Sequence, residues 1–322
     1  MLKPAVFALC ACAAALAQST PVAFTGARII PIAGPEIPNG TIVVQNGKIV
    51  SVGPASTSIP AGAQRVNAQG KVIMPGLVDS HSHIGSPEGG DGSNAIQPDV
   101  RILDSVNPRA ASIQRAQAGG LTTVNVMPGS GHLLSGQTLY LKLRDGGTID
   151  ELLIRTDDGR IAGGMKMANG TNSRRSTPNF PGTRAKSAAL VREQYVKAVE
   201  YREKIRQAKG DATKMPARDL RLEGLVEVLD GKRVVHFHSH RHDDLLTALR
   251  IQKEFGFRLV LQHVTDGWMV ADEIAKAGVP CSVIVIDSPG GKPETKDTRF
   301  DNAMMLDKAG VLVGFHTDDG VT

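Results

Sequence analysis

Cysteine and aromatic residues are scarce in this sequence. Of 322 residues, three are cysteine, one tryptophan, three tyrosine and eight phenylalanine. Cys10 and Cys12 sit in the N-terminal apolar run, so removal of that run leaves Cys281 alone and excludes an intrachain disulfide framework. Aromatics are only 4% of the chain and none interleave with a basic stretch, which leaves a nucleic-acid partner without support. The net charge of +5 comes with basic residues concentrated from Arg174 to Arg233, where a solvated helix face accounts for them. No apolar run reaches the roughly 20 residues of a membrane span, so stable membrane insertion is not expected. No Gly-x-Gly-x-x-Gly follows an apolar strand, which removes the fingerprint of a dinucleotide-binding sheet. What is present is ordinary globular composition, 41% hydrophobic and 21% charged. The length suits one large α/β domain and a small one.

The first residues read as a targeting segment. Lys3 supplies the charge, Ala5 to Ala15 the short apolar run, and Ala15-Leu16-Ala17 a small-x-small cleavage signal. Cleavage after Ala17 is expected, and with it a periplasmic or secreted location. Residues 18–76 read as short strands and turns. Asn46-Gly47 stands between the apolar runs Thr41–Gln45 and Lys48–Val52, the local signature of a two-residue hairpin.

From Leu77 onward the pattern alternates. Strands are expected at Leu77–His83, Leu121–Met127, Thr138–Leu143, Ile161–Lys166, Arg233–His238, Phe257–His263, Pro280–Ile286 and Val311–His316. Helices are expected at Asp104–Ala118, Arg184–Ala208, Leu220–Leu229, Asp243–Phe255, Gly267–Ala277 and Asp301–Ala309. Repeated strand–helix alternation implies parallel strands, and eight of them imply a (β/α)8 TIM-type barrel over residues 77–322. Such barrels keep their chemistry at the C-terminal ends of the strands.

His81 and His83 form a His-x-His pair on the first strand, where residues i and i+2 share a face about 7 Å apart. Lys166 ends the expected fourth strand, His238 the fifth and His263 the sixth, and Asp318 follows the eighth. Each therefore stands at the same mouth. His236, His238, His240 and His242 share one parity, which leaves His238 or His240 as the fifth-strand residue; His238 ends the apolar run. His236 reads as a deeper, hydrogen-bonded ring, and His316 as a residue that lines the barrel or simply packs. His240, Arg241 and His132 are candidate substrate contacts, with Arg241 able to pair a carboxylate. Asp243 or Asp244 reads as a helix N-cap.

The motif Gly70-Lys71-Val72-Ile73-Met74-Pro75-Gly76-Leu77-Val78-Asp79-Ser80-His81-Ser82-His83, with the hairpin before it and Lys166 after it, resembles the amidohydrolase superfamily. The likeness is greatest to its imidazolonepropionase-like and exported dipeptidase (prolidase-type) branch. The resemblance implies a small N-terminal β-sandwich segment and a zinc-dependent hydrolase of amide, cyclic amide or peptide bonds. It implies that Lys166 is carboxylated and bridges two divalent ions. His81, His83 and Asp318 would hold one ion, His238 and His263 the other, and Asp318 would act as the catalytic base. The substrate would be a small molecule or short peptide. Two other readings stay open: a mononuclear deaminase, which would not need Lys166, and a periplasmic metal-binding pseudoenzyme, which would not need Asp318 as a base. The family pattern continues with an eighth helix and a segment completing the sandwich. The sequence stops four residues after Asp318, so a C-terminally truncated chain with exposed apolar strand surface is expected. The helical stretch Arg184–Leu229 is expected either to cover the barrel or to form a homo-oligomer interface.

Overall fold

The structure is a computed structural model that describes residues 20–85, 91–284 and 292–319. The expected targeting segment, residues 1–17, lies outside the described residues, as do part of the glycine-rich stretch after His83 and the end of the expected strand Pro280–Ile286. The chain divides into two compact units between Gly76 and Leu77.

The first unit is one five-stranded sheet built from β1 (Val22–Ile29), β2 (Ile37–Gln45), β3 (Lys48–Pro54), β4 (Gln64–Asn67) and β5 (Val72–Ile73), in the order β3-β2-β1-β4 with β5 also on β1. The hairpin forms where expected: Gln45 pairs with Lys48, and Asn46 and Gly47 take φ of 53° and 71°. Both turn residues need positive φ for the turn to follow the twist of the strands, and Asn-Gly tolerates that best. A small cluster of Ala27, Ile29, Ile42 and Ala68 holds the sheet.

The second unit contains β6 (Leu77–Ser82), α1 (Ala111–Ala118), β7 (Leu121–Val126), β8 (Leu134–Gln137), β9 (Leu139–Lys142), α2 (Ile149–Leu152) and β10 (Met165–Ala168). It continues with α3 (Arg184–Ala208), α4 (Leu220–Leu229), β11 (Val235–Ser239), α5 (His242–Phe255), β12 (Leu259–His263), α6 (Ala271–Ala277), β13 (Cys281–Ile284), α7 (Asn302–Lys308) and β14 (Val313–His316). Strands β10 to β14 are parallel neighbours in sequence order, and β6 is parallel to β7.

The expected third parallel strand is corrected. The run Leu134–Lys142 breaks at Thr138, with β8 antiparallel to β10 and β9 antiparallel to β7. Residues 127–138, between β7 and β9, contain no helix to carry a parallel crossover over the sheet, so the chain turns back instead. The strands accordingly fall into two sheets, linked at one side by the nearly continuous Leu134–Lys142. At the other side the ends of β6 and β14 meet. The Asp318 N–H donates to the His81 carbonyl (3.2 Å), and the His83 N–H to the Asp319 carbonyl (2.8 Å).

Three further expectations shift. The helix expected from Asp104 starts at Ala111, because Pro108 lacks an N–H and disfavours a helical residue before it. The strand expected over Ile161–Lys166 begins at Met165 and runs to Ala168, so Lys166 lies within it rather than at its end. Arg241, not Asp243 or Asp244, is the N-cap of α5. Both aspartates instead bind guanidinium groups, Asp243 that of Arg241 and Asp244 that of Arg184.

Helices α3 and α4 cover the parallel sheet. Val191, Tyr195, Ala198, Leu225 and Val228 join one core with Met165, Met167, Val235 and Phe237. Tyr195 stacks between Phe255 and Phe257, with ring centroids 5.1 and 5.0 Å away. Thr183 and Asp219 cap the two helices by accepting backbone N–H bonds. Leu77, Val78, Leu312 and Phe315 on or beside β6 and β14 are exposed.

Candidate metal centre

His81 lies near the end of β6 and His83 just after it, and their rings converge rather than stand apart. Their Nε2 atoms are 3.3 Å from each other. Asp318 Oδ1 is 3.1 Å from His81 Nε2 and 3.3 Å from His83 Nε2. Lys166 Nζ is 3.0 Å from the same His81 nitrogen. One imidazole nitrogen has either a lone pair or one N–H, so these three approaches to His81 Nε2 cannot all be hydrogen bonds. The triangle fits an ion better: ligand atoms 2.0–2.1 Å from a tetrahedral Zn²⁺ stand about 3.3 Å apart.

The strands supply two overlapping groups of donors. His81, His263, His316 and Asp318 each bring a ligand atom within 4.8 Å of one another, and so do His238, His240 and His263. His263 belongs to both. Both ring nitrogens of His238, and Nε2 of His240 and of His263, are buried without a hydrogen-bond partner. Leaving such groups unsatisfied costs about 1–3 kcal/mol each, and a bound cation would relieve that cost. The donor set of neutral imidazoles with carboxylate therefore fits a divalent metal ion.

The electrostatics agree. Burial pushes His81, His238 and His263 well below the ordinary histidine range, so their rings are neutral. It lowers His240 to about 4 and His236 and His316 to about 3. Lys166 is fully buried, and desolvation brings its ammonium down to about 7, against a smaller opposing pull from Asp318. Burial favours the protonated form of Asp318. The adjoining His81 and His83 rings, with the charge of Lys166, outweigh that and hold the carboxyl well below its usual range.

Backbone geometry is special at two donors. His263 takes φ of 69° and Asp318 φ of 58°. For residues with a Cβ the left-handed region costs roughly 1–2 kcal/mol, and such strain clusters where a site needs a side chain aimed off its strand.

Four of the rings are steered by their other nitrogen. His83 Nδ1 bonds the Met127 carbonyl (2.7 Å), His240 Nδ1 the Thr265 hydroxyl (2.8 Å) and His316 Nδ1 the Ser282 hydroxyl (2.7 Å). His81 Nδ1 lies 3.1 Å from Gln262 Oε1. This outer set of bonds fixes ring orientation and tautomer. Gln262, Thr265 and Ser282 stand outside the candidates legible in the sequence. They are ordinary polar residues with no spacing signal. His316, left between lining and packing, joins the donor group, and its place at the end of β14 with the parity of Asp318 was the available clue. His236 is a hydrogen-bonded interior ring, as its depth suggested.

The structure separates the expected substrate contacts. His240 lies in the donor cluster and keeps the fifth-strand position shared between it and His238. Arg241 lines a cavity of about 610 Å³ with Thr171, Arg174, Arg184 and Glu294, although Asp243 grips its guanidinium through two bonds of 2.9 and 2.8 Å. His132 is buried beside Phe180, with neither ring nitrogen bonded. Cys281 is a buried free thiol, pushed up to about 12 by desolvation. No helix among the described residues is long and apolar enough to cross a membrane.

No family model matches the sequence. The amidohydrolase tasK of Hapsidospora irregularis is 28% identical over 255 residues, 70% of this chain and 26% of that protein. The imidazolonepropionase of Rhizobium rhizogenes is 39% identical over 102 residues, 30% of this chain and 23% of that protein. The chain thus spans 26% and 23% of the lengths of these two curated relatives. Among solved structures, an amidohydrolase from Thermotoga maritima MSB8 matches with a TM-score of 0.86 and 33% identity, over 93% of this chain and 79% of that one. The α/β fold is accordingly of the TIM-barrel type, and the chain belongs to the amidohydrolase superfamily.

Proposed function

We propose that this chain hydrolyses a C–N bond, with divalent ions held by His81, His83, His238, His263 and Asp318 and by Lys166. The observation that carries the reading is the convergence of buried, neutral, partly unpartnered imidazoles on Asp318 and Lys166. Zinc is the ion this nitrogen-rich set suits best. Bound there, divalent ions would polarise the scissile carbonyl and lower the pKa of the attacking water.

The chain's own residues do the rest. The Asp318 carboxylate accepts the proton of the attacking water and returns it to the leaving nitrogen. A cationic lysine cannot ligate a metal, and the low pKa of Lys166 leaves its amine neutral in a large fraction of molecules. With CO2 the Nζ lone pair would form an N–C bond as one C–O π bond opens to an oxygen anion, and the surplus proton on nitrogen would pass to water. The resulting anionic carbamate would supply oxygen donors to the divalent ions. His238 ligates from the fifth strand, with His240 beside it. Burial of Lys166 against His81 favours this binuclear hydrolase over a mononuclear deaminase. The substrate class is a small amide, cyclic amide or short peptide, and the location inferred from the first 17 residues is periplasmic or secreted.

The test is metal analysis combined with a hydrolysis screen of dipeptides, N-acyl amino acids and cyclic amides. Two divalent ions per chain and turnover of at least one C–N substrate are expected, with both lost in Lys166→Ala. A metal-free protein, or an unchanged Lys166→Ala variant, would sink the reading.

A further inference from the structure

A chain of buried polar groups leads away from the metal centre into the interior. Gln262 Oε1 faces His81 Nδ1 at 3.1 Å, and Gln262 Nε2 faces His236 Nδ1 at 3.0 Å. His236 Nε2 meets the Tyr140 hydroxyl at 2.9 Å. The Asn125 amide nitrogen, which donates to the Ser80 carbonyl at 3.1 Å, lies 3.2 Å from the same His236 nitrogen. Gln262 is completely buried, and His236 nearly so.

We propose that Gln262, held in turn by His236 and Tyr140, sets His81 in the tautomer and orientation that leaves its Nε2 free for an ion. This role rests on the metal-centre reading above. Proton count imposes this arrangement. A neutral imidazole carries one N–H, and a glutamine amide has one donating and one accepting end. For His81 to ligate through Nε2, its proton must sit on Nδ1, so Gln262 must present its oxygen. The amide nitrogen then donates to His236 Nδ1, which must be bare. The His236 proton therefore sits on Nε2 and is donated to the Tyr140 hydroxyl oxygen, while the Asn125 amide nitrogen, a donor engaged with the Ser80 carbonyl, makes no hydrogen bond to that nitrogen. The tautomers of the two histidines are thus locked together through one amide, and Tyr140 is a positioning residue without touching His81.

Two measurements on the whole chain test this: zinc affinity by chelator competition, and 15N imidazole chemical shifts, which report which ring nitrogen bears the proton. In the wild type, zinc binding should leave His236 as the Nε2–H tautomer although it is not a ligand. Gln262→Leu should weaken zinc binding by about 10- to 100-fold and make the His236 signals indifferent to zinc. Tyr140→Phe, a mild change at the far end of the chain, should shift part of the His81 population away from the Nδ1–H tautomer. His240, steered by Thr265, should keep its tautomer in both variants. Wild-type zinc affinity in a folded Gln262→Leu variant, or a His81 signal unmoved by Tyr140→Phe, would overturn the proposal. A wild type that binds no zinc while Tyr140→Phe still moves the His81 signal would overturn the metal reading and leave the coupling standing.

Discussion

Asp318 is the residue on which the proposed chemistry turns. Its carboxylate is in contact with both His81 and His83, and those neighbours, with the charge of Lys166, hold it ionised. Asp318→Asn keeps the shape and one accepting oxygen but loses the base. A fall in kcat of about 10²- to 10⁴-fold is expected, with bound metal largely retained; a variant at wild-type rate would remove Asp318 from the proton transfer. Lys166 makes a prediction about pH in the metal-free chain. Its folded pKa of about 7 lies below the ordinary 10.5, so between those values the unfolded chain holds the extra proton. Stability from this group therefore rises with pH across that window. Thermal melts from pH 7 to 10 should show the rise, and Lys166→Met should abolish it; identical slopes would mean that Lys166 is solvated.

At the scale of elements, β10 carries Lys166 into the centre, and the residues before it have no room for a side chain. A Cβ on Gly164 would collide with the His236 ring and the Val234 carbonyl. Gly164→Ala should cost about 1–3 kcal/mol by overpacking, read as a lowered denaturation midpoint. Helix α3 is held from the other side by Tyr195, which no solvent reaches. Tyr195→Ala should destabilise by about 3–5 kcal/mol, because the space between Phe255 and Phe257 cannot close. A loss below about 1 kcal/mol would show that α3 contributes little to the core. These glycines were legible in the sequence only as interruptions of an apolar run. What Gly164 avoids comes from His236 in β11 and Val234 just before it, some 70 residues later along the chain.

Over the whole molecule, the interior of the second unit holds an unusual number of neutral rings. His81, His236, His238, His263 and His316 all have folded pKa values pushed down by burial. The unfolded chain binds protons at these positions near pH 6.5, and the folded chain does not. Their stability is present in full above that pH and is lost as pH falls toward about 3, where His236 and His316 would protonate in place. Each ring contributes up to about 1.4 kcal/mol per pH unit within that window. Metal-free protein should therefore melt at progressively lower temperature from pH 7 to pH 5. A flat profile would contradict the burial of these rings.

Features that depend on neighbours along the chain are legible in residue order alone. Asn46-Gly47 makes its hairpin because two adjacent residues must take positive φ. Thr183 and Asp219 start their helices because a side-chain oxygen reaches N–H groups two or three residues on. His81 and His83 share a site because a strand repeats every second residue. The remainder follows from how the strands and helices pack. Whether His240 and His316 join the donors, and whether Leu134–Lys142 runs parallel or antiparallel, depends on which strands become neighbours. Gln262 acquires a role only because folding brings it to a histidine 181 positions away. No local pattern encodes a contact of that separation, since the pairing of distant strands is fixed by burying all of them at once.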